Sequence, residues 1–295
     1  MEKLKKIIIE IAGGLGNQMF QYAFYVKMKQ LGYDAFLYLD PSQHIHNGFE
    51  LTHVFKLDAS FAGASDIEDL RKKDQAIIAR LLRKMTGTTT SFYWEHNKGY
   101  GFKEHIFTQH KSIYLQGCWL SELYFEDVKD RVQQSFEFPA FTNPGNIALA
   151  ERIAADAVPV SIHLRRGDYL KSSVHLNIDY LKYLSAALEK LKNITTATGF
   201  YVFSDDMAYA QSVLGSLSTG EVPLHFIDWN NGAASFNDMH LMSLCKHNII
   251  TNSTFSWWAA WLNKYPQKTI ISPLHWFSKN EWNNNSIVPD SWIRI

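Results

Sequence analysis

The sequence predicts an α/β protein with two domains, each built around a parallel β-sheet. At 295 residues the chain exceeds the size at which a single hydrophobic core usually stops growing. Its first half opens with a strand, a glycine loop and a helix, and its second half alternates strands with helices. That alternation is typical of parallel sheets with helical crossovers. We place the boundary near residues 140–155, which gives domains 1–150 and 151–295.

The first half carries four apolar runs that predict strands and three stretches that predict helices. The strands are Lys6–Ala12, Tyr33–Leu39, Phe92–Glu95 and Ser112–Trp119. Helical spacing begins at Met19, continues as a charged helix pair over Asp66–Met85, and returns at Glu122. Thr86–Ser91 predicts a mobile loop, and the turn-rich Phe138–Gly145 predicts a linker.

The second half predicts five strands, each followed by polar residues. The strands are Val158–Leu164, Gly199–Phe203, Val222–Ile227, Asn248–Thr251 and Lys268–Ser272, and the intervening helices are Asn146–Ala157, Asp179–Leu191, one through Tyr209 and Val213, Phe236–Leu244 and Phe255–Leu262. Carboxyl ends of parallel strands share one edge, where ligands bind. We therefore expect one crevice to collect His163, Arg165, Arg166, Asp205, Asp206, Asp238, Ser253 and Thr254.

Two adjacent arginines follow the strand Val158–Leu164. Arg165 and Arg166 repel each other, and an anion offsets that cost best, because the guanidinium fork matches phosphate oxygens. The alternative is an arginine pair that forms salt bridges with Asp168 and other acids. The motif therefore predicts a phosphate site, with an internal ion-pair cluster as the competing interpretation.

Other residues at the same edge suit a nucleotide. Ser253 and Thr254 precede a helix whose N–H groups can hold phosphate. A carboxylate suits the N1–H and N2–H edge of guanine, which makes Asp238 or Asp205 a base reader. The alternatives are a helix N-cap or first-turn acid at Asp238 and a turn with a helix cap at Asp205 and Asp206.

The glycine loop Gly13–Gln18 follows the first strand. Its glycines bring backbone close to a ligand, and Asn17 and Gln18 supply amides for a sugar hydroxyl or a phosphate. The spacing of Gly14 and Gly16 lacks the third glycine of the dinucleotide fingerprint, since Met19 occupies that place. A tight turn that merely packs the helix on the sheet remains the alternative.

Composition excludes several classes of protein. Lys+Arg and Asp+Glu are both 29, so there is no general attraction to nucleic acid. Cys118 and Cys245 are far apart, without zinc or disulfide-scaffold spacing, which favours a reducing cytosol. His44 and His46 lack a partner to complete a metal set. No apolar run is long enough to cross a bilayer.

The motifs together carry a family resemblance. Gly13-Gly-Leu-Gly-Asn-Gln-Met-Phe-Gln-Tyr-Ala23, His163-Leu-Arg-Arg-Gly-Asp-Tyr169, Phe203-Ser-Asp-Asp206 and Ile250-Thr-Asn-Ser-Thr-Phe-Ser-Trp-Trp258 resemble the family 11 glycosyltransferases, the bacterial α-1,2-fucosyltransferases. The resemblance spans nearly the whole chain. It implies a GT-B-like architecture, with two Rossmann-like domains facing each other across a cleft. The N-terminal domain would take the acceptor and the C-terminal domain the GDP-sugar.

The resemblance also implies roles for residues. His163 falls where guanine or ribose is contacted, Arg165 where the β-phosphate is held, Asp238 near the guanine, Ser253 and Thr254 near the phosphates, and Asn17 at the fucose end of the donor. The donor-binding set also includes Gly14, Gly16, Gln18, Arg166, Asp205, Asn252 and Phe255. Ser173 stands where some relatives have a candidate glutamate base, so the base stays open. Asp168 is the nearest carboxylate and joins Arg165 and Asn17 as a catalytic candidate, or it only holds the arginines.

The expected activity is metal-independent, inverting transfer of L-fucose from GDP-β-L-fucose to the 2-hydroxyl of a galactoside, with no cofactor. The expected partners are GDP-fucose and a galactose-terminated glycan, in the cytoplasm; contact with a membrane carrying lipid-linked glycan stays open. The alternatives are another GDP-sugar transferase, a non-catalytic sugar or nucleotide module, and a Rossmann oxidoreductase. Asp40 is the only near candidate for the acidic residue that the oxidoreductase would need.

Overall fold

The computed structural model describes residues 5–41, 48–75, 91–282 and 285–295, and it divides the chain into two compact units. The first unit contains the described residues up to Glu137 together with residues 285–287. The second contains the described residues from Phe138 onward, apart from that short segment. Each unit has its own parallel sheet, as the alternation of strands and helices predicts.

The first unit has a four-stranded sheet in the order β2-β1-β4-β3. Its strands are β1 (Lys6–Ile11), β2 (Asp34–Leu39), β3 (Phe92–Trp94) and β4 (Ile113–Gln116). Its helices are α1 (Leu15–Gln30), α2 (Leu51–Val54), α3 (Ala64–Gln75) and α4 (Lys129–Ser135). Isoleucines fill β1 because a central parallel strand is buried on both faces.

The core of the first unit lies between α1 and its neighbours. Nearly the whole of α1 is buried, and Phe24 on this helix stacks on Trp119 at 4.5 Å between ring centroids. Tyr124 meets both rings edge-on. The core therefore reaches the loop that follows β4, and residues of this loop also line a pocket.

The second unit has a six-stranded sheet in the order β10-β9-β8-β5-β6-β7. Its strands are β5 (Pro159–Leu164), β6 (Gly199–Ser204), β7 (Leu224–Ile227), β8 (His247–Ile249), β9 (Ile270–Ser272) and β10 (Ile293–Arg294). Its helices are α5 (Pro144–Ala155), α6 (Tyr180–Lys192), α7 (Met207–Gly215), α8 (Phe236–Leu244) and α9 (Thr254–Leu262). Every residue of β5 is buried, so the residues that follow it emerge at the centre of the sheet.

Some boundaries differ from the predicted ones. The division falls at 137/138 rather than at 150, which lies inside α5. That helix belongs to the second unit because Asn146 hydrogen-bonds to Asn230 there. Helix α1 begins at Leu15 rather than Met19. Strand β4 ends at Gln116 rather than at Trp119, which lies in the following loop with a φ of 56°. The predicted helix over residues 76–85 and most of the loop 86–91 lie outside the described residues.

Within the described ranges, no helix is both long and apolar enough to span a membrane.

Candidate functional site

The centre of the second sheet brings most of the predicted crevice residues onto one edge, whereas Asp238 lies in the first turn of α8. Strand β5 pairs with β6 on one side and with β8 on the other, all parallel. Arg165 and Arg166 follow β5, Asp205 and Asp206 follow β6, and residues 252–254 follow β8. The carboxyl ends of three adjacent strands thus supply the cations, the acids and a helix N-terminus.

Arg165 is oriented by two aspartates through a single nitrogen. Its Nε lies 2.9 Å from Asp168 Oδ1 and 3.3 Å from Asp205 Oδ2. Burial lowers the pKa of Arg165, but the charges of Asp205 and Asp168 raise it more, so the guanidinium stays charged. In the described part of the chain no hydrogen bond engages Nη1 or Nη2, and 27% of the side chain is exposed. The terminal amino groups are therefore available to a bidentate anion.

Arg166 lies beside it on a loop that Asp205 holds in place. The two carboxylate oxygens of Asp205 accept hydrogen bonds from the N–H groups of Arg166, at 2.8 Å, and Gly167, at 3.0 Å. Residue 167 is glycine because a Cβ there would lie 2.9 Å from Asp205 Oδ2. The Arg166 guanidinium donates to Asp206 at 2.6 Å and covers the Tyr209 ring at 4.1 Å.

The ion-pair alternative is therefore present alongside the open face of Arg165. Three acids surround two arginines, so the cluster is not strongly cationic as a whole. The bonds that Asp205 makes to the loop account for its presence, so we leave it out as a reader of the base.

His163, the penultimate residue of β5, is 5% exposed and lies 5.9 Å from the Phe255 ring. Its Nδ1 is buried and has no hydrogen-bond partner among the described residues. Burial, followed by the charge of Arg165, lowers the pKa of His163 to about 3. The imidazole is consequently neutral at pH 7. A buried polar atom without a partner is costly unless a ligand or water completes it.

The N-terminus of α9 is open to an anion. Ser253 is the residue that precedes the helix, and its hydroxyl caps none of the first N–H groups. No side chain within the described ranges accepts a hydrogen bond from the N–H of Thr254, Phe255 or Ser256. Unpaired N–H groups at a helix start favour phosphate.

Asn252 has a different role. Its amide donates to Leu176 O and Trp276 O, both at 2.9 Å, and its Oδ1 accepts from Thr251 at 3.0 Å. The side chain therefore ties the loops around the site together, and we leave it out of the proposed donor contacts. Tyr180 supports the same loops, because its hydroxyl bonds to both backbone groups of Arg165 and to Thr251.

Asp238 lies in the first turn of α8, where Asn230 donates to it at 2.7 Å. Asn230 is held in turn by Asn146. Burial raises the pKa of Asp238 from 3.8 to about 7, although the bond from Asn230 opposes the rise. A carboxyl group poised in this way can accept hydrogen bonds from a base, and its predicted role as guanine reader stays a prediction.

The glycine loop of the first unit differs from the expected anion site. Glu50 Oε2 accepts from the N–H of Leu15 at 3.0 Å, so a carboxylate already occupies the start of α1. Gln18 is fully buried, donates to Gly13 O and Gly48 O at 2.9 Å, and accepts from Glu50 N. The loop therefore binds the protein's own groups. We leave Gly14, Gly16 and Gln18 out of the proposed donor site.

Asn17 is the member of that loop that faces a cavity. It is half-buried and lines a pocket of about 280 Å³ within the first unit. Gly13 has a φ of +78°, and a Cβ there would lie 2.5 Å from Asn17 Nδ2. A glycine at 13 thus leaves room for the Asn17 side chain in the conformation that lines the pocket.

The other polar residues of that pocket, chiefly Glu10 and Gln116, were not predicted from the sequence. The sequence could have indicated Glu10, because it is the only charged residue within the isoleucine run of β1. No comparable signal marks Gln116 or the aromatic residues Trp94, His96 and Tyr100.

Throughout the part of the chain that the structure describes, no three His, Cys, Asp or Glu side chains are grouped as metal ligands. His44 and His46 lie outside the described residues.

The two parallel-sheet units define a GT-B-like glycosyltransferase fold. A mutant of Arabidopsis thaliana FUT1 in complex with GDP superposes with a TM-score of 0.55 and 16% identity, covering 97% of this chain and 76% of that one. NodZ α-1,6-fucosyltransferase co-crystallised with GDP superposes with a TM-score of 0.53 and 15% identity, covering 87% of this chain and 92% of that one. At these identities the likeness establishes the fold alone.

Residues 2–295 match the model for glycosyl transferase family 11, and the chain belongs to this family. An alpha-1,2-colitosyltransferase of Escherichia coli is 30% identical over 98% of each chain. The O-antigen biosynthesis glycosyltransferase WbnK of the same organism is 30% identical over 97% of this chain and 99% of its own. Galactoside alpha-(1,2)-fucosyltransferase 1 of Bos taurus is 26% identical over 86% of this chain and 65% of its own length.

Proposed function

We propose that this family 11 glycosyltransferase transfers L-fucose from GDP-β-L-fucose to the 2-hydroxyl of a galactoside, with inversion at the anomeric carbon. The observation that carries the proposal is the geometry of Arg165. Two aspartates fix its Nε while both terminal amino groups remain available. The names of the bovine and E. coli relatives support α-1,2 transfer of a deoxy sugar.

In the proposed reaction the bond between the sugar's anomeric carbon and the β-phosphate oxygen breaks. The acceptor hydroxyl oxygen bonds to the opposite face of that carbon and loses its proton. Negative charge grows on the departing GDP, where Arg165 and the N–H groups of α9 would meet it. Each charge-assisted hydrogen bond contributes about 1.5–3 kcal/mol. We assign this stabilisation to the protein rather than to a metal ion.

Two further residues of the second unit have groups that suit the nucleoside. His163 Nδ1 needs a hydrogen-bond partner, which a ribose hydroxyl or a guanine atom would provide. Asp238 would accept from the guanine edge in its ionised form. Asp168 would serve as a counter-ion of Arg165, since it contacts Nε directly. The base that removes the acceptor proton is left unassigned by these contacts.

The test is incubation of the protein with GDP-fucose and lactose, followed by mass spectrometry and NMR linkage analysis. We expect a fucosyl-α-1,2-galactoside product, and a loss of at least about 100-fold in turnover for Arg165→Ala, consistent with two lost charge-assisted bonds. Arg152→Ala, on the exposed face of α5, is the matched control. Near-normal transfer by folded Arg165→Ala protein would reject the mechanism. GDP binding without turnover of any donor would support a non-catalytic module instead.

A second candidate donor is GDP-colitose, favoured by the 30% identity with the colitosyltransferase over 98% of each chain. Colitose is the 3-deoxy counterpart of L-fucose. A site that hydrogen-bonds the 3-hydroxyl rejects the deoxy sugar strongly, whereas an apolar site rejects the hydroxylated sugar weakly. Competition between the two donors at equal concentration separates the candidates.

A further inference from the structure

The pocket of the first unit holds Asn17, which is expected at the fucose end of the donor, together with polar and aromatic side chains to which the proposed function gives no role. It lies at the carboxyl end of β1 and β4 and has a volume of about 280 Å³. Ligand pockets commonly measure about 300–1,000 Å³, so this one is sized for a single ring rather than for a nucleotide. Its lining combines polar groups on β1, β4 and α1 with aromatic rings at the end of β3 and in the residues that follow it.

The polar side of the pocket offers both donors and acceptors. Glu10, only 2% exposed, accepts hydrogen bonds from Gln116 Nε2 at 2.8 Å and from the Tyr114 hydroxyl. These bonds hold its carboxylate in place, and a carboxylate can accept about four hydrogen bonds in all. Asn17 adds a side-chain amide that makes no hydrogen bond to a described residue. Hydroxyl groups need this mixture, since each one both donates and accepts.

Another part of the lining is aromatic. Trp94 lines the pocket, and 43% of its surface is exposed. His96 stacks on it at 5.3 Å with an interplanar angle of 26°, and Tyr100 hydrogen-bonds to His96 Nδ1 at 3.0 Å. Two neighbours therefore brace the indole as a flat apolar platform beside the polar groups.

The charge of the lining selects against anions. No Lys or Arg occurs among the described residues that form the pocket, and Glu10 contributes a carboxylate. The positive end of α1 is also occupied by Glu50. A phosphate or a uronic acid would meet repulsion here, whereas a neutral polyhydroxyl ring would not.

We propose that this pocket binds one uncharged pyranose of the acceptor, with an apolar face on Trp94 and hydroxyls on Glu10 and Asn17. That the bound sugar is the acceptor rests on the proposed function, but binding of the sugar itself does not depend on turnover. It names neutral hexoses as the substrate class and places Glu10 where it contacts a sugar hydroxyl.

A buried carboxyl group holds the wall of the pocket. Glu95 Oε2 accepts from the N–H groups of Cys118, at 2.7 Å, and Trp119, at 3.0 Å. A Cβ on Gly117 would lie 2.7 Å from that same oxygen. The wall formed by Gly117 and Cys118 is thereby fixed in place before any ligand arrives, and preorganisation of this kind favours binding.

The test is saturation-transfer NMR and acceptor titration with methyl β-galactoside and lactose, each with GDP as an internal reference. We expect Trp94→Ala and Glu10→Gln each to weaken sugar binding by about tenfold or more, while GDP binding changes by less than about twofold. Glu10→Gln can keep both hydrogen bonds, because the Tyr114 hydroxyl can accept as well as donate, so it removes the charge without a change of shape. Phe61→Ala removes an equally exposed ring of the same unit outside the pocket and is the control.

The outcomes separate this inference from the proposed function. Normal sugar binding by both variants, with normal thermal melting, would overturn the pocket assignment even if fucosyl transfer occurs. Binding of tetramethylammonium in place of the sugar would overturn it too, because aromatic rings beside a carboxylate also suit cations. Sugar binding that the variants abolish, in a protein that transfers no fucose, would support the pocket and reject the reaction.

Discussion

Asp205 is predicted to hold the arginine loop through its bonds to the backbone as well as through its charge. In Asp205→Asn one oxygen still accepts an N–H, but the other becomes an NH₂ group that faces a donor. The variant thus loses one of the bonds to Arg166 and Gly167, at 2.8 and 3.0 Å, and the ion pair with Arg165. The side chain is 24% exposed, so we take the low end for each interaction, about 1 kcal/mol, which gives about 2 kcal/mol in all.

Differential scanning calorimetry measures this loss. For a unit of this size about 2 kcal/mol lowers the melting temperature by roughly 4–8 °C. Asp168→Asn is the matched control, because Asp168 contacts the same Nε at 2.9 Å but is half-exposed and accepts no backbone N–H in the described structure. Its stability should change by less than about 1 kcal/mol. Equal shifts for the two variants, or no shift for Asp205→Asn, would refute the reasoning.

Two further predictions concern the first unit. Gln18→Ala should lower the free energy of unfolding by about 3 kcal/mol, because Gly13 O, Gly48 O and the Glu50 N–H lose their hydrogen-bond partner. Asn17→Ala should lower the free energy of unfolding by less than about 1 kcal/mol. Urea melts of both variants measure this contrast. Burial raises the pKa of Glu95 from 4.5 to about 7, so between those values the folded state binds more protons than the unfolded state. The free energy of unfolding should therefore fall as pH rises through this window. Glu95→Gln should flatten that slope in urea melts from pH 4.5 to 8, and an unchanged slope would contradict the assignment.

The second unit was predictable because its signals are local. Buried strands that end in polar residues fix which side chains reach the sheet edge, so the pattern alone suffices to group His163, Arg165 and Ser253. The strand order then brings these residues together, since β5 lies between β6 and β8. What the pattern could not tell was that Asp168 and Asp205 both lie against the Nε of Arg165.

The first unit was harder because its site depends on distant contacts. The pattern shows Gln18 at a helix start, but its partners Gly48 and Glu50 lie about thirty residues away. Glu50 occupies the N-terminus that the glycine loop was expected to offer to a ligand. The Trp94 platform depends likewise on β3 pairing with β4, a register that no short motif encodes.

The central claim is that Arg165 binds the terminal phosphate of the donor nucleotide. Isothermal titration of GDP and GMP into the wild-type protein and Arg165→Ala tests it most directly, because only GDP carries a β-phosphate. We predict that the wild-type protein prefers GDP by about tenfold or more and that the variant loses this preference while its affinity for GMP hardly changes. A preference for GDP that survives the substitution would contradict the account.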